Sequence, residues 1–194
     1  GSAVNPVLRE GNSDRRVADA VKIYAQKNPH PLKPWEQTAK TSVAHMTEGD
    51  FYGNEKSVIV PKETDVKIEH EAADGQKTVL KASIPLKANE VIDATFMSAK
   101  KLQEFFENEM QSAKQDDVLM SLHMKATMMK KSDPIIFGHC VKVFYKDAFE
   151  KHAALLKDIG ANPNNGVGSV LSSINEKCDK ATADGIIADF NACY

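Results

Sequence analysis

The chain has 194 residues, 42% of them apolar and 27% charged, with a formal net charge of −2. That composition is ordinary for a globular protein with a sizeable core and excludes intrinsic disorder. The charge supplies no attraction to nucleic acid or an anionic membrane, and no apolar run reaches the ~18–20 residues of a bilayer span, so neither partner is expected.

Residues 1–13 are polar and interrupted by Pro6 and Gly11, which predicts an irregular segment. Asp14 can cap a helix starting near Arg15, along which Val17, Ala20, Val21 and Tyr24 recur at helical spacing until Asn28-Pro29 stops it. A proline-rich connection follows over 29–37. From about 39 to 97 strands are predicted, at 39–46, 56–61 and 91–97. Between them Val66, Ile68, His70 and Ala72 alternate with charged residues, and Asp74-Gly75 turns the chain into a second β-rich run at 78–84, an antiparallel hairpin pattern. Asp50-Phe51-Tyr52-Gly53 and Ala88-Asn89-Glu90 are expected turns.

Ser98 is placed to cap a helix whose apolar face is Leu102, Phe105, Phe106, Met110 and Ala113. Residues 117–124 predict a buried strand. Ser132-Asp133-Pro134 opens a helix expected to run to about Lys157, with Ile136, Cys140, Phe144, Ala148 and Leu155 inward. Gly160 and the run from Asn162 to Gly166 break it, and two shorter helices follow. The fold class is therefore α/β: a mixed sheet with an antiparallel hairpin section, packed by helices. The odd count of three cysteines (Cys140, Cys178, Cys193) has no pattern, as expected of reduced thiols in a cytoplasmic protein. Neither end carries a start or stop signal, and both are expected to be cuts.

Two stretches have chemical potential. The first is the opening run GSAVNPVLREGNSDRR, which joins short hydrogen-bonding side chains to three arginines and a helix start. Guanidinium groups grip carboxylates through paired hydrogen bonds and stay charged, and a helix N-terminus adds free N–H groups. Such a run suits a polyanionic small molecule; it equally describes a solvated linker. The second is Lys125, at the end of the predicted strand, where α/β folds commonly expose functional side chains. Near arginines and a dication its pKa would fall far enough for proton transfer, while the simpler reading is the first exposed residue after a core strand. The six histidines show no zinc-ligand spacing, and no glycine-rich phosphate loop is present.

The opening run resembles the corresponding stretch of monomeric NADP-dependent isocitrate dehydrogenases. So do Val43-Ala44-His45-Met46, Gly49-Asp50-Phe51-Tyr52-Gly53, the run from Lys125 to Lys130, Ser132-Asp133-Pro134-Ile135, Phe144-Tyr145-Lys146-Asp147-Ala148 and Asn164-Asn165-Gly166, in the family's order. After about residue 175 the likeness is loose.

The resemblance implies oxidation of isocitrate by NADP and decarboxylation to 2-oxoglutarate, a reaction of the tricarboxylic acid cycle. Mg²⁺ or Mn²⁺ would act as Lewis acid. It implies that Ser2, Asn5, Arg9 and Arg15 bind the carboxylates of isocitrate and that Lys125 is the catalytic lysine. It makes residues 1–13 an interdomain segment and 14–194 the N-terminal part of the large domain of a longer two-domain enzyme. The metal ligands, the partner tyrosine and the main NADP-binding residues then belong to the rest of the dehydrogenase polypeptide, and this chain alone would be inactive. The alternative is a non-catalytic anion-binding or structural fragment.

Overall fold

A computed structural model describes residues 18–29, 34–124 and 131–194. The chain divides into two compact units, one made of residues 46–101 and the other of the segments before and after it.

The middle unit is the β-rich part. A one-turn helix, α2 (Phe51–Asn54), is capped by Asp50, whose side chain accepts from the Gly53 N–H at 3.2 Å. This places the expected turn at Asp50–Gly53 on a short helix. β1 (Lys56–Ile59) pairs antiparallel with β4 (Val91–Ala94). Between them β2 (Thr64–Glu71) and β3 (Lys77–Leu86) form the expected hairpin. Its turn is set by Gly75 at φ 83°, with the Gly75 N–H bonded to Ala72 O and the Asp74 carboxylate accepting from the Gln76 N–H.

The simple alternation read along β2 does not persist. The register shifts on either side of Ile68, each time with one extra residue on β3. These irregularities turn Ile68 outward while Val66 stays half-buried. Glu69 sits between Lys67 (2.6 Å) and Lys77 (3.6 Å), and Glu71 pairs across the ladder with Lys77 (3.3 Å). Val60 and Leu86 are the buried apolar residues of this unit. The segment expected as a strand at 39–46 is in no ladder.

The helical unit holds the main core. α1 (Asp19–Lys27) ends at Asn28, before Pro29, as its sequence requires. α3 (Ala99–Asp116) begins where the Ser98 hydroxyl accepts from the Lys101 N–H. It buries Leu102 and Phe106 on the expected face. It stops at Asp117, whose φ of 55° is left-handed and lets the Val118 N–H reach back to Ala113 O.

The predicted strand at 117–124 is not formed. Burial alternates from Leu119 on, with Met120, Leu122 and Met124 half-buried and Leu119, Ser121 and His123 exposed, but the segment has no paired neighbour among the described residues. The alternation is that of a strand; a ladder also needs a second chain segment within about 5 Å.

The long helix expected over 132–157 is three pieces: α4 (Ser132–Phe144), α5 (Lys146–Lys151) and α6 (Ala153–Asp158). Its N-cap is Lys131, with Ser132 the first helical residue and Pro134 in the first turn. The bends fall at Tyr145 and His152, whose ψ angles of 31° and 19° leave the helical range while hydrogen bonds to residues four earlier continue. Both bend residues hold the end of the last helix. Tyr145 packs on Phe190, and His152 Nε2 meets the Asp189 carboxylate at 2.6 Å.

The buried stripe is Gly138, Val141, Tyr145, Ala148 and Leu156, one residue round from the predicted face. Of the residues predicted inward, Ala148 is buried, Ile136, Cys140 and Leu155 are half-buried, and Phe144 is 41% exposed. α6 ends in a Schellman arrangement around Gly160 (φ 67°), with Ala161 N bonded to Leu156 O and Gly160 N to Lys157 O. A 3₁₀ turn (Pro163–Asn165) leads to α7 (Val167–Lys177) and α8 (Lys180–Asn191), the two shorter helices expected. Asp179 caps α8 through Thr182. Val170 and Ile174 of α7 and Ala183, Ile186 and Phe190 of α8 close the core against the buried stripe.

Candidate functional site

Ser2, Asn5, Arg9, Arg15 and Lys125 all lie outside the described residues. The structure therefore brings none of them together and separates none; it shows what flanks them. Ala18, the first described residue, begins an exposed stretch that becomes α1, and Met124 and Lys131 border the lysine segment. The strand expected to deliver Lys125 is absent, so the strand-end argument for that lysine no longer applies, and its role rests on the resemblance alone.

The other blocks that carry the resemblance have visible structural work. Asp50 caps α2, and Gly49 at φ 78° sits so close to Lys101 that an added Cβ would lie 2.9 Å from the Lys101 Cβ. Tyr145 is the buried bend between α4 and α5. Its phenol hydrogen-bonds the Tyr194 hydroxyl, and burial, that bond and the neighbouring phenol together push its pKa well above the ordinary tyrosine value. Asn164, in the 3₁₀ turn, packs on α4 at Gly138, where an added Cβ would fall 1.9 Å from its Oδ1 and 3.1 Å from its Cα.

Gly138→Ala is accordingly expected to destabilise the protein by roughly 1–3 kcal/mol, the usual cost of overpacking. The penalty should shrink in an Asn164→Ala background, and thermal or denaturant unfolding of the four variants checks it. An equal penalty in both backgrounds would place the strain elsewhere.

Two histidines are tied into the helices. His139 Nδ1 accepts from the Gln103 amide at 2.9 Å, and burial, with nearby Lys142, lowers its pKa. His152 and Lys151 both hold Asp189, at 2.6 and 2.8 Å, which keeps that carboxyl below its ordinary value, with the Lys151 bond the larger cause. Sequence spacing gave no sign of either pair, because their partners lie 36 and 37 residues away. Burial raises the Cys140 thiol above its ordinary pKa, which suppresses the nucleophilic thiolate. Among the described residues no group of three or more His, Cys, Asp or Glu side chains is placed to hold a metal ion.

Two hollows open on the helical unit. One, about 550 Å³, has Phe149, Leu156 and Pro163 in its lining, with Lys142, Lys146 and Lys157 opposed by Glu107 and Glu150. The near balance of charge gives it no pull on a polyanion. The other, about 740 Å³, is mostly apolar, with Lys114 the one charged residue among its described lining. Among the described residues neither gathers a set of unopposed cations such as a tricarboxylate needs.

The profile described as Monomeric isocitrate dehydrogenase matches residues 1–194. The chain belongs to the monomeric isocitrate dehydrogenase family. Relatives within it include Isocitrate dehydrogenase [NADP] 2 of Colwellia maris, 54% identical, and that of Mycobacterium tuberculosis (strain ATCC 25618 / H37Rv), 50% identical. Isocitrate dehydrogenase [NADP] of Azotobacter vinelandii is 51% identical. In each case the whole of this chain is covered but only 26% of the relative's length. The family resemblance read from the residue blocks thus extends over the full 194 residues, including the stretch beyond 175 where it looked loose. The fold is mixed α/β, with two small antiparallel sheets and packed helices, and the chain spans about a quarter of the length of these relatives.

Proposed function

We propose that this chain forms part of an NADP-dependent isocitrate dehydrogenase and contributes to its substrate site. The observation that carries this reading is the unbroken match of all 194 residues to relatives that bear that name. Isocitrate loses hydride from its hydroxyl carbon to NADP, and the resulting oxo acid loses carbon dioxide to give 2-oxoglutarate.

In that reaction the chain's own residues bind and move a proton. Arg9 and Arg15 provide permanent positive charge and paired N–H donors for two carboxylates, and the shorter side chains of Ser2 and Asn5 complete the hydrogen bonding. Lys125 transfers a proton at the reacting centre, which requires it to sit within hydrogen-bond reach of the hydroxyl or the carbon it protonates. Residues 1–13 connect the small and large domains, so the ligands at Ser2, Asn5 and Arg9 approach from one side and those at Arg15 and Lys125 from the other; closure then excludes water. Mg²⁺ or Mn²⁺, when bound, supplies Lewis-acid stabilisation. The family resemblance assigns the metal ligands and the main NADP-binding residues to the rest of the polypeptide. No described helix is long and apolar enough to cross a membrane.

The full-length protein is expected to reduce NADP when given isocitrate and Mn²⁺, measured by absorbance of the reduced nicotinamide. Absence of isocitrate-dependent reduction would leave the anion-binding or structural alternative.

A further inference from the structure

We infer that residues 118–124 and the outer side of α4 are the docking surface for a β-strand from the part of the longer family polypeptide that this chain does not span. Four observations converge on that surface. The segment alternates in burial along its length as a strand does, yet no backbone N–H or C=O from Leu119 to Met124 is paired among the described residues. Unpaired strand edges are templates for an added strand.

α4 buries Gly138 and Val141, and its Phe137, Cys140, Val141 and Phe144 line the hollow of about 740 Å³ beside the segment. An apolar helix face is normally covered, yet Phe144 on this one is 41% exposed. Leu119, which borders the same hollow, is 93% exposed, and Tyr194 on its rim is 84% exposed. Finally, the relatives are far longer than this chain, which covers 26% of their length, so polypeptide is available to cover this face.

Among the described residues of its lining Lys114 is the one charged side chain, and the apolar majority suits an apolar occupant. Alternating apolar side chains on an incoming strand fill the hollow while its backbone pairs with the free edge, satisfying both deficits at once. The inference rests on family membership and coverage and not on the assignment of isocitrate as substrate.

Peptide-resolved hydrogen exchange and thiol labelling of the full-length protein test it without substrate or cofactor. Amides within 118–124 are expected to exchange at least about 100-fold more slowly than in an unstructured peptide, at every protein concentration. The thiol introduced by Leu119→Cys is expected to label at least tenfold more slowly than one introduced by Ala73→Cys in the exposed hairpin turn. Exchange at the unstructured rate, with equal labelling at the two positions, would overturn the inference. Protection that appears only as concentration rises would also overturn it and assign the surface to a second copy. Loss of isocitrate activity with protection intact would instead count against the proposed function alone.

Discussion

Lys125→Met in the full-length dehydrogenase is expected to lower turnover by roughly 10²–10⁴-fold while isocitrate affinity stays within about tenfold. Methionine keeps most of the length and the apolar stem of lysine but removes the ammonium, so it abolishes proton transfer and leaves the packing nearly unchanged. A group that acts only in the transition state lowers kcat and kcat/KM together. A group that merely attracts the substrate raises KM and spares kcat. Steady-state kinetics separate the two outcomes, and single-turnover measurements show whether the chemical step has become limiting. Unchanged turnover removes Lys125 from the mechanism, and a pure KM effect would reassign it to substrate binding.

The second large effect is expected from the paired substitution Arg9→Ala, Arg15→Ala. A hydrogen bond to a charged group contributes about 1.5–3 kcal/mol, so losing one such contact at each arginine weakens isocitrate binding by roughly 10²–10⁴-fold. NADP affinity should not move, because the coenzyme is assigned elsewhere in the polypeptide. Arg15→Lys should recover only part of the loss: lysine restores charge but lacks the planar pair of donors that matches a carboxylate. Calorimetric titration with isocitrate and, separately, with NADP reads both effects. Undiminished affinity in the double variant would place the two arginines on a solvated surface and favour a structural role for the opening run.

Much of the candidate site could be named from the residues because the resemblance rests on short blocks whose order is itself information. What those blocks do is less uniform than their common origin suggests. Asp50, Tyr145 and Asn164 lie in three of them, and their side chains cap a helix, fill a bend and pack against Gly138. Such work is positional and belongs to this chain alone. The roles proposed for Arg9, Arg15 and Lys125 need opposing groups, and the proposal assigns those to polypeptide outside this chain. Sequence also gave no sign that His139 meets Gln103 or that His152 meets Asp189, since each pair is brought together by helix packing.

The local chemistry of the sequence determined where elements begin, turn and stop. Asn28-Pro29 ends α1, Asp74-Gly75 makes the hairpin, Ser98 starts α3 and Gly160 ends α6. Each depends on atoms within a few residues. Tertiary structure decided which face of α4–α6 is buried, because the choice of Tyr145 over Phe144 is made by Phe190 of α8, which packs on the Tyr145 ring. It also decided that 119–124 alternates in burial without being in a ladder among the described residues. Alternation fixes which way side chains point, whereas a ladder exists only when another segment offers its backbone groups.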